Sequence, residues 1–138
     1  MYERVLVAVD HSEASDRALA AARELALLSR AQVWVLHLRE REVIGRLGLV
    51  PSESDDDAHQ KVKDAVEALS QAGLEARGEI REIIFGQAAR EIVADAKEHD
   101  VSVIVMGSRG LSDLAGIVLG STAHKVIHLT DRPVLVVR

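Results

Sequence analysis

The 138-residue sequence has no cysteine, which removes disulfides, thiolate metal sites and thiol nucleophiles together. Aromatic residues are 2% of the chain, a single Trp, Tyr and Phe, so a core has to be assembled from Val, Leu, Ile and Ala. No uncharged apolar run approaches the ~20 residues that a membrane helix needs. A basic surplus is also missing: 17 Lys and Arg face 22 Asp and Glu, for a net charge of −5. That argues against a general nucleic-acid binder, which needs a basic face. The opening MYERVLVAVD lacks the basic flank and long apolar stretch of a signal peptide. With 48% hydrophobic and 28% charged residues, the expectation is one domain over 1–138, with a buried core. It is expected in the cytoplasm, with neither nucleic acid nor membrane as partner.

Short apolar runs alternate with helical periods. RVLVAV (4–9), QVWVLHL (32–38), VSVIVM (101–106) and PVLVV (133–137) are almost continuously hydrophobic and rich in Val, as suits strands covered on both faces. A fifth run, EARGEIREII (75–84), alternates Glu75, Arg77, Glu79 and Arg81 with Ala76, Gly78 and Ile80. Such a half-charged strand belongs at a sheet edge. Between the runs, Leu19, Ala22 and Ala26, then Val62, Val66 and Leu69, then Ala89, Ile92, Val93 and Ala96 keep helical spacing, and Ala123, Val126 and Ile127 begin a fourth helix. Ser12 is placed to cap the first helix, Gly73 to stop the second and Ser121 to cap the last. The order β-α-β-α-β-α-β-α-β predicts a doubly wound, Rossmann-like α/β fold with a five-stranded parallel sheet and helices on both faces. Residues 39–58, with Gly45, Gly48, Pro51 and an acidic Ser-rich tail, read as a long loop of the kind that serves as a lid or stays disordered. Ser54 and Asp55 to Asp57 then lie near the start of the second helix.

Four of nine glycines fall between Met106 and Lys125: Gly107, Gly110, Gly116 and Gly120. Gly107 directly follows one strand run and Asp10 follows another, so both lie where open α/β sheets bind ligands. A helix beginning near Gly120-Ser121 offers free N–H groups and a positive dipole end to an anion. The common phosphate fingerprints are missing. Where Walker A would stand the chain reads VAVDHSEAS, without glycine, and no G-x-G-x-x-G occurs.

The spacing present is Gly107-x2-Gly110-x9-Gly120-Ser121, preceded by VIVM. In this, in VLVAVDHSEAS, in VLHL and in the final PVLVV, essentially the whole chain resembles the universal stress proteins of the ATP-binding kind. The resemblance implies ATP, carried with Mg2+, as ligand. Asp10 then contacts the adenosine portion, Ala8 and Val9 line the adenine pocket, and Leu38 touches adenine. Met106 and Gly107 border the nucleotide, and Gly110 lies against the phosphates. Gly120 and Ser121 bind phosphate, with Thr122 beside them. Arg109, at a position the motif leaves free, is placed to reach phosphate. The resemblance further implies strand order 3-2-1-4-5 and a homodimer pairing the last strands, Val134 to Val137. It also implies a nucleotide-dependent stress regulator or sensor that acts on a regulatory protein partner. Three positions depart from the family pattern: His11 stands where many members have Gly, Ala123 where some have a hydroxyl, and Ser102 where an acidic residue is common.

The alternatives are a weak ATPase and a nucleotide-free dimeric scaffold. Fast hydrolysis needs a phosphate-clamping cation and a water-orienting base; the Walker lysine is absent and no base is evident. An HxGH signature of nucleotidyl transferases is likewise missing. For the glycines the competing explanation is close helix–sheet packing, and for Asp10 a turn or cap. No metal site is expected: His124 and His128 share a helical face at i, i+4, but no third ligand or HExxH accompanies them. His37, at a strand end, reads as structural.

Overall fold

The computed structural model describes residues 2–43, 48–51, 53–109 and 119–138. Elements follow in the order β1 (Arg4–Val9), α1 (Glu13–Ser29), β2 (Gln32–Val43), β3 (Leu49–Pro51), α2 (Asp55–Gln71), β4 (Ala76–Ile84), α3 (Ala88–Glu98), β5 (Val103–Gly107), α4 (Ser121–Leu129) and β6 (Val134–Val137). Five strands run parallel as β4-β2-β1-β5-β6, the 3-2-1-4-5 order expected from the sequence. The half-charged strand sits at one edge and β6 at the other.

Strand alternation splits the core in two. Val5, Val7 and Val9 of β1 pack with Val33 and Val35 against α1 and α2, while Leu6, Leu36, Ile104 and Met106 pack against α3 and α4. The scarcity of aromatics has a direct structural counterpart. Ala14, Ala18, Ala22 and Ala26 form the buried stripe of α1, and such small side chains bring the helix close to the sheet. The expected Leu19 is only partly buried beside that stripe.

Helix ends follow local chemistry. The Ser12 hydroxyl accepts the Ser15 N–H at 3.1 Å, and Ser54 accepts that of Asp57 at 3.1 Å. Asp55, Asp56 and Asp57 occupy the first turn of α2, where the helix dipole favours negative charge. Past the end of α2, Gly73 adopts φ +89°, a left-handed conformation that glycine takes without strain. Ser54→Ala is expected to cost about 1 kcal/mol; an unchanged thermal midpoint by circular dichroism would show that water replaces the cap.

The stretch 39–58 departs from the expected long loop. β2 continues to Val43 because β4 pairs with it as far as Arg41↔Ile84, and β3 pairs antiparallel with its end. The arginine charges of REREV (39–43) are matched across the ladder and by α2. Arg39 meets Glu82 at 3.0 Å and Asp55 at 3.1 Å, and Arg41 also pairs with Glu82. Among the described residues, no helix is long and apolar enough to cross a membrane.

Candidate functional site

β1 and β5 end side by side next to the middle of β2, and at their carboxyl ends lies a cavity of about 330 Å³. Its apolar part comes from alternate strand positions and the helices they face: Ala8, Leu36, Leu38 and Met106 from the sheet, Ile92 from α3 and Ala123 from α4. Phe85, just past β4 and 58% exposed, stands at its edge.

The polar part is built by turns. Asp10 ends β1; its Oδ1 accepts the Ser12 N–H at 2.8 Å while its own N–H donates to Ser15 Oγ at 2.8 Å. The turn role weighed for Asp10 is therefore present, and it uses only one carboxylate oxygen. Across the cavity α4 begins at Gly120, which is the N-cap in place of the expected Ser121 and brings no capping side chain. α1 and α2 are each capped by a serine hydroxyl that accepts a first-turn N–H, whereas α4 has no side-chain cap among the described residues. The first N–H groups of an α-helix have no partner within the helix, and no side chain among the described residues caps these. The Gly120 N–H itself donates to the Ser108 carbonyl at 2.5 Å, tying the helix start to the end of β5.

Gly107 has a structural explanation. A Cβ there would lie 2.9 Å from Ala14 Cβ and 3.0 Å from the Ala14 carbonyl carbon. The missing side chain therefore answers first to the close approach of α1, the packing alternative weighed for this glycine. Gly107 still borders the cavity, as do Ala8, Val9, Asp10, Leu38, Met106, Arg109, Gly120 and Thr122. Ser121 does not line it, and Gly110 lies outside the described residues.

Three cavity residues were not picked out as a group from the sequence. His37 is 2% exposed, with Nδ1 2.8 Å from the Val9 carbonyl and Nε2 in contact with Glu53. His11 Nε2 meets the other Glu53 oxygen at 2.6 Å. Burial opposes the Glu53 charge, but hydrogen bonds from His11 and His37 and the charge of both rings outweigh it and hold the carboxyl below the ordinary carboxylate range. Arg39 fixes the segment from behind, donating through Nη2 to the Glu53 carbonyl at 3.1 Å. Glu53 and Phe85 carried no signal in the sequence, since both lie on irregular segments that only the fold brings to the cavity. His124 and His128 are exposed, with ring centroids 4.5 Å apart, and gain no third ligand among the described residues.

A parallel sheet wound on both faces, with a cleft at the carboxyl ends of its central strands, defines an open α/β fold, a class in which ligands generally bind at that end. The chain belongs to the universal stress protein family, whose sequence model matches residues 1–138. It is 39% identical over 148 aligned residues to universal stress protein YxiE of Bacillus subtilis, covering 100% of both chains. Its structure is similar to that of MJ0577, named a universal stress protein in Methanocaldococcus jannaschii. That likeness has a TM-score of 0.82 at 28% identity over 99% of this chain and 96% of that one. Two further similar structures hold ligands. One is a universal stress protein in complex with cAMP, with TM-score 0.73 and 26% identity over 99% and 97% of the two chains. The other is the universal stress protein of Archaeoglobus fulgidus in complex with dAMP, with TM-score 0.72 and 28% identity over 99% and 98%.

Proposed function

We propose that residues 1–138 form one nucleotide-binding unit that holds an adenine nucleotide, ATP carried with Mg2+, in the cleft at the carboxyl ends of β1 and β5. The observation that carries this reading is the meeting, in one cavity, of an apolar slot and a helix N-terminus that no side chain among the described residues caps. The slot between Ala8, Leu38 and Met106 suits a flat purine, and the start of α4 suits a phosphate. The cAMP and dAMP bound by the two similar proteins share these two parts with ATP. Asp10 keeps one oxygen for the ribose. Ser121, Thr122, Arg109 and Gly110 complete the phosphate end in this reading, and Mg2+ comes with the polyphosphate rather than in a protein cage.

In this reading the protein is a cytoplasmic homodimer in which nucleotide alters a surface that a regulatory partner reads. What supports the dimer is that β6 is an edge strand and its Leu135 is 41% exposed. Fast catalysis is not part of the proposal; ATP turnover above ~1 s⁻¹, ordinary for enzymes, would overturn it in favour of an ATPase. The scaffold reading keeps one specific observation in its favour, the packing role of Gly107.

Thermal unfolding with and without Mg-ATP separates these readings, with ADP, AMP and GTP as comparisons. A ligand at ~100 times its dissociation constant adds about 2.7 kcal/mol, a shift of several degrees for a chain of this size. The expected result is a shift specific to adenine nucleotides that Gly120→Val abolishes. No shift at millimolar ATP would select the scaffold.

A further inference from the structure

We propose that His11, His37 and Glu53 form a binding site for a divalent ion of the zinc class, separate from any Mg2+ that accompanies a nucleotide. The sequence, where only His124 and His128 were weighed as ligands, led us to expect no metal site; these three residues come from three segments, the turn after β1, the middle of β2 and the approach to α2. The fold brings one donor atom from each to within 4.8 Å of the others.

Four features favour an ion there. The set is two imidazoles and one carboxylate, the donor set of known zinc sites that keep a position open. Nitrogen donors select zinc and its transition-metal neighbours over Mg2+ and Ca2+. His37 is oriented as a metal ligand is oriented. The Val9 carbonyl can only accept, so Nδ1 carries the proton and the buried Nε2 points at the site, the outer-shell arrangement that fixes a ligating tautomer. The third feature is charge. Among the described residues, no lysine or arginine reaches the Glu53 carboxylate; Arg39 takes only its backbone carbonyl. The fourth is access: all three side chains line the cavity, which leaves a face of the ion open to water or a ligand.

A second cluster, Glu79, Asp95 and His99, shows the contrast. There the Arg81 guanidinium reaches Glu79 at 3.0 Å and Asp95 at 2.7 Å, so a cation is already in place. At the proposed site, tetrahedral donors on ~2.0 Å bonds stand about 3.3 Å apart. The His11–Glu53 contact of 2.6 Å and the closer His37–Glu53 contact both widen to that separation, a movement that falls to the Glu53 carboxylate and to His11, whose side chain is 41% exposed, because His37 is buried. The bound ion would join β1, β2 and the start of α2 at the cavity rim.

The experiment uses tag-free, chelator-treated protein titrated with Zn2+ alone and with Co2+, whose visible absorption reports the ligand field. One ion per chain is expected, with a Co2+ band and a rise of several degrees in the zinc-bound midpoint. His11→Ala and Glu53→Gln, neither of which empties the core, should each weaken binding by more than about tenfold, while His124→Ala leaves it unchanged. Absence of stoichiometric binding overturns the proposal. So does binding that survives both site variants, or that is lost with His124→Ala. Nucleotide is absent throughout, so the result stands apart from the nucleotide reading.

Discussion

Gly78→Val is expected to destabilise the protein by about 3 kcal/mol, near the top of the range for overpacked cores. That is a fall in the thermal midpoint on the order of 10 °C for a chain of this length. A Cβ at Gly78 would stand 2.2 Å from Val62 Cγ1 and 2.9 Å from Val66 Cγ2. Both neighbours are β-branched side chains on α2, stiff at χ1, so the helix has to lift from the edge strand. Strand propensity alone points the other way, since Val favours a strand and Gly does not. Thermal unfolding of Gly78→Val and of Gly78→Val with Val62→Ala decides the matter. Partial recovery in the double variant is the expected coupling between touching residues; an unchanged midpoint in the single variant would remove the packing account.

The second large effect is on the pH dependence of stability. Asp95 lies on the inner face of α3 and is 0% exposed. Burial first, then the hydrogen bond and charge of Glu79, push its carboxyl up to about 8, although Arg81 pulls the other way. An unfolded Asp titrates near ~3.9. Between those values the folded protein keeps a proton that the unfolded chain releases, so stability falls as pH rises from about 4 to about 8 and levels off above. The slope can reach about 1.4 kcal/mol per pH unit. Glu79 is also subject to desolvation. Hydrogen bonds from Asp95 and His99, with the charge and hydrogen bond of Arg81, nevertheless hold it below its ordinary value. Its own contribution is therefore lost only as pH falls below ~4.3, under the range from about pH 5 to about pH 8 in which the slope is read. Glu98 adds like charge from the end of α3, and His99 adds an imidazole 3.3 Å from Asp95. Asp95→Asn, which keeps the shape and a donor toward Glu79, should flatten the slope in urea unfolding measured from about pH 5 to about pH 8. A variant that retains the wild-type slope would place the proton elsewhere.

The same edge shows how much of the fold was legible. Alternating charge in 75–84 identified an edge strand correctly, because one face of β4 meets α2 and the other meets charged partners on α3. Those partners were not legible: Arg81 joins Glu79, Glu91, Asp95 and Glu98 across helix–sheet packing that no local spacing encodes. The extension of β2 was missed for a related reason. Gly45, Gly48, Pro51 and the acidic tail are local loop signals, whereas the pairing of Arg39 to Arg41 with Glu82 to Ile84 joins segments distant along the chain.

The sequence by itself determined the five parallel strands, their alternation with helices, the location of the cleft at Asp10 and Gly107, and the family to which the chain belongs. These rest on continuous apolar runs, helical periods and glycine spacing, all properties of neighbours along the chain. Tertiary structure alone decided why Gly107 and Gly78 lack side chains, where α4 begins, and that Glu53 meets His11 and His37. Each of those depends on atoms brought together from distant segments, where steric exclusion and charge compensation act through space and leave no period to read.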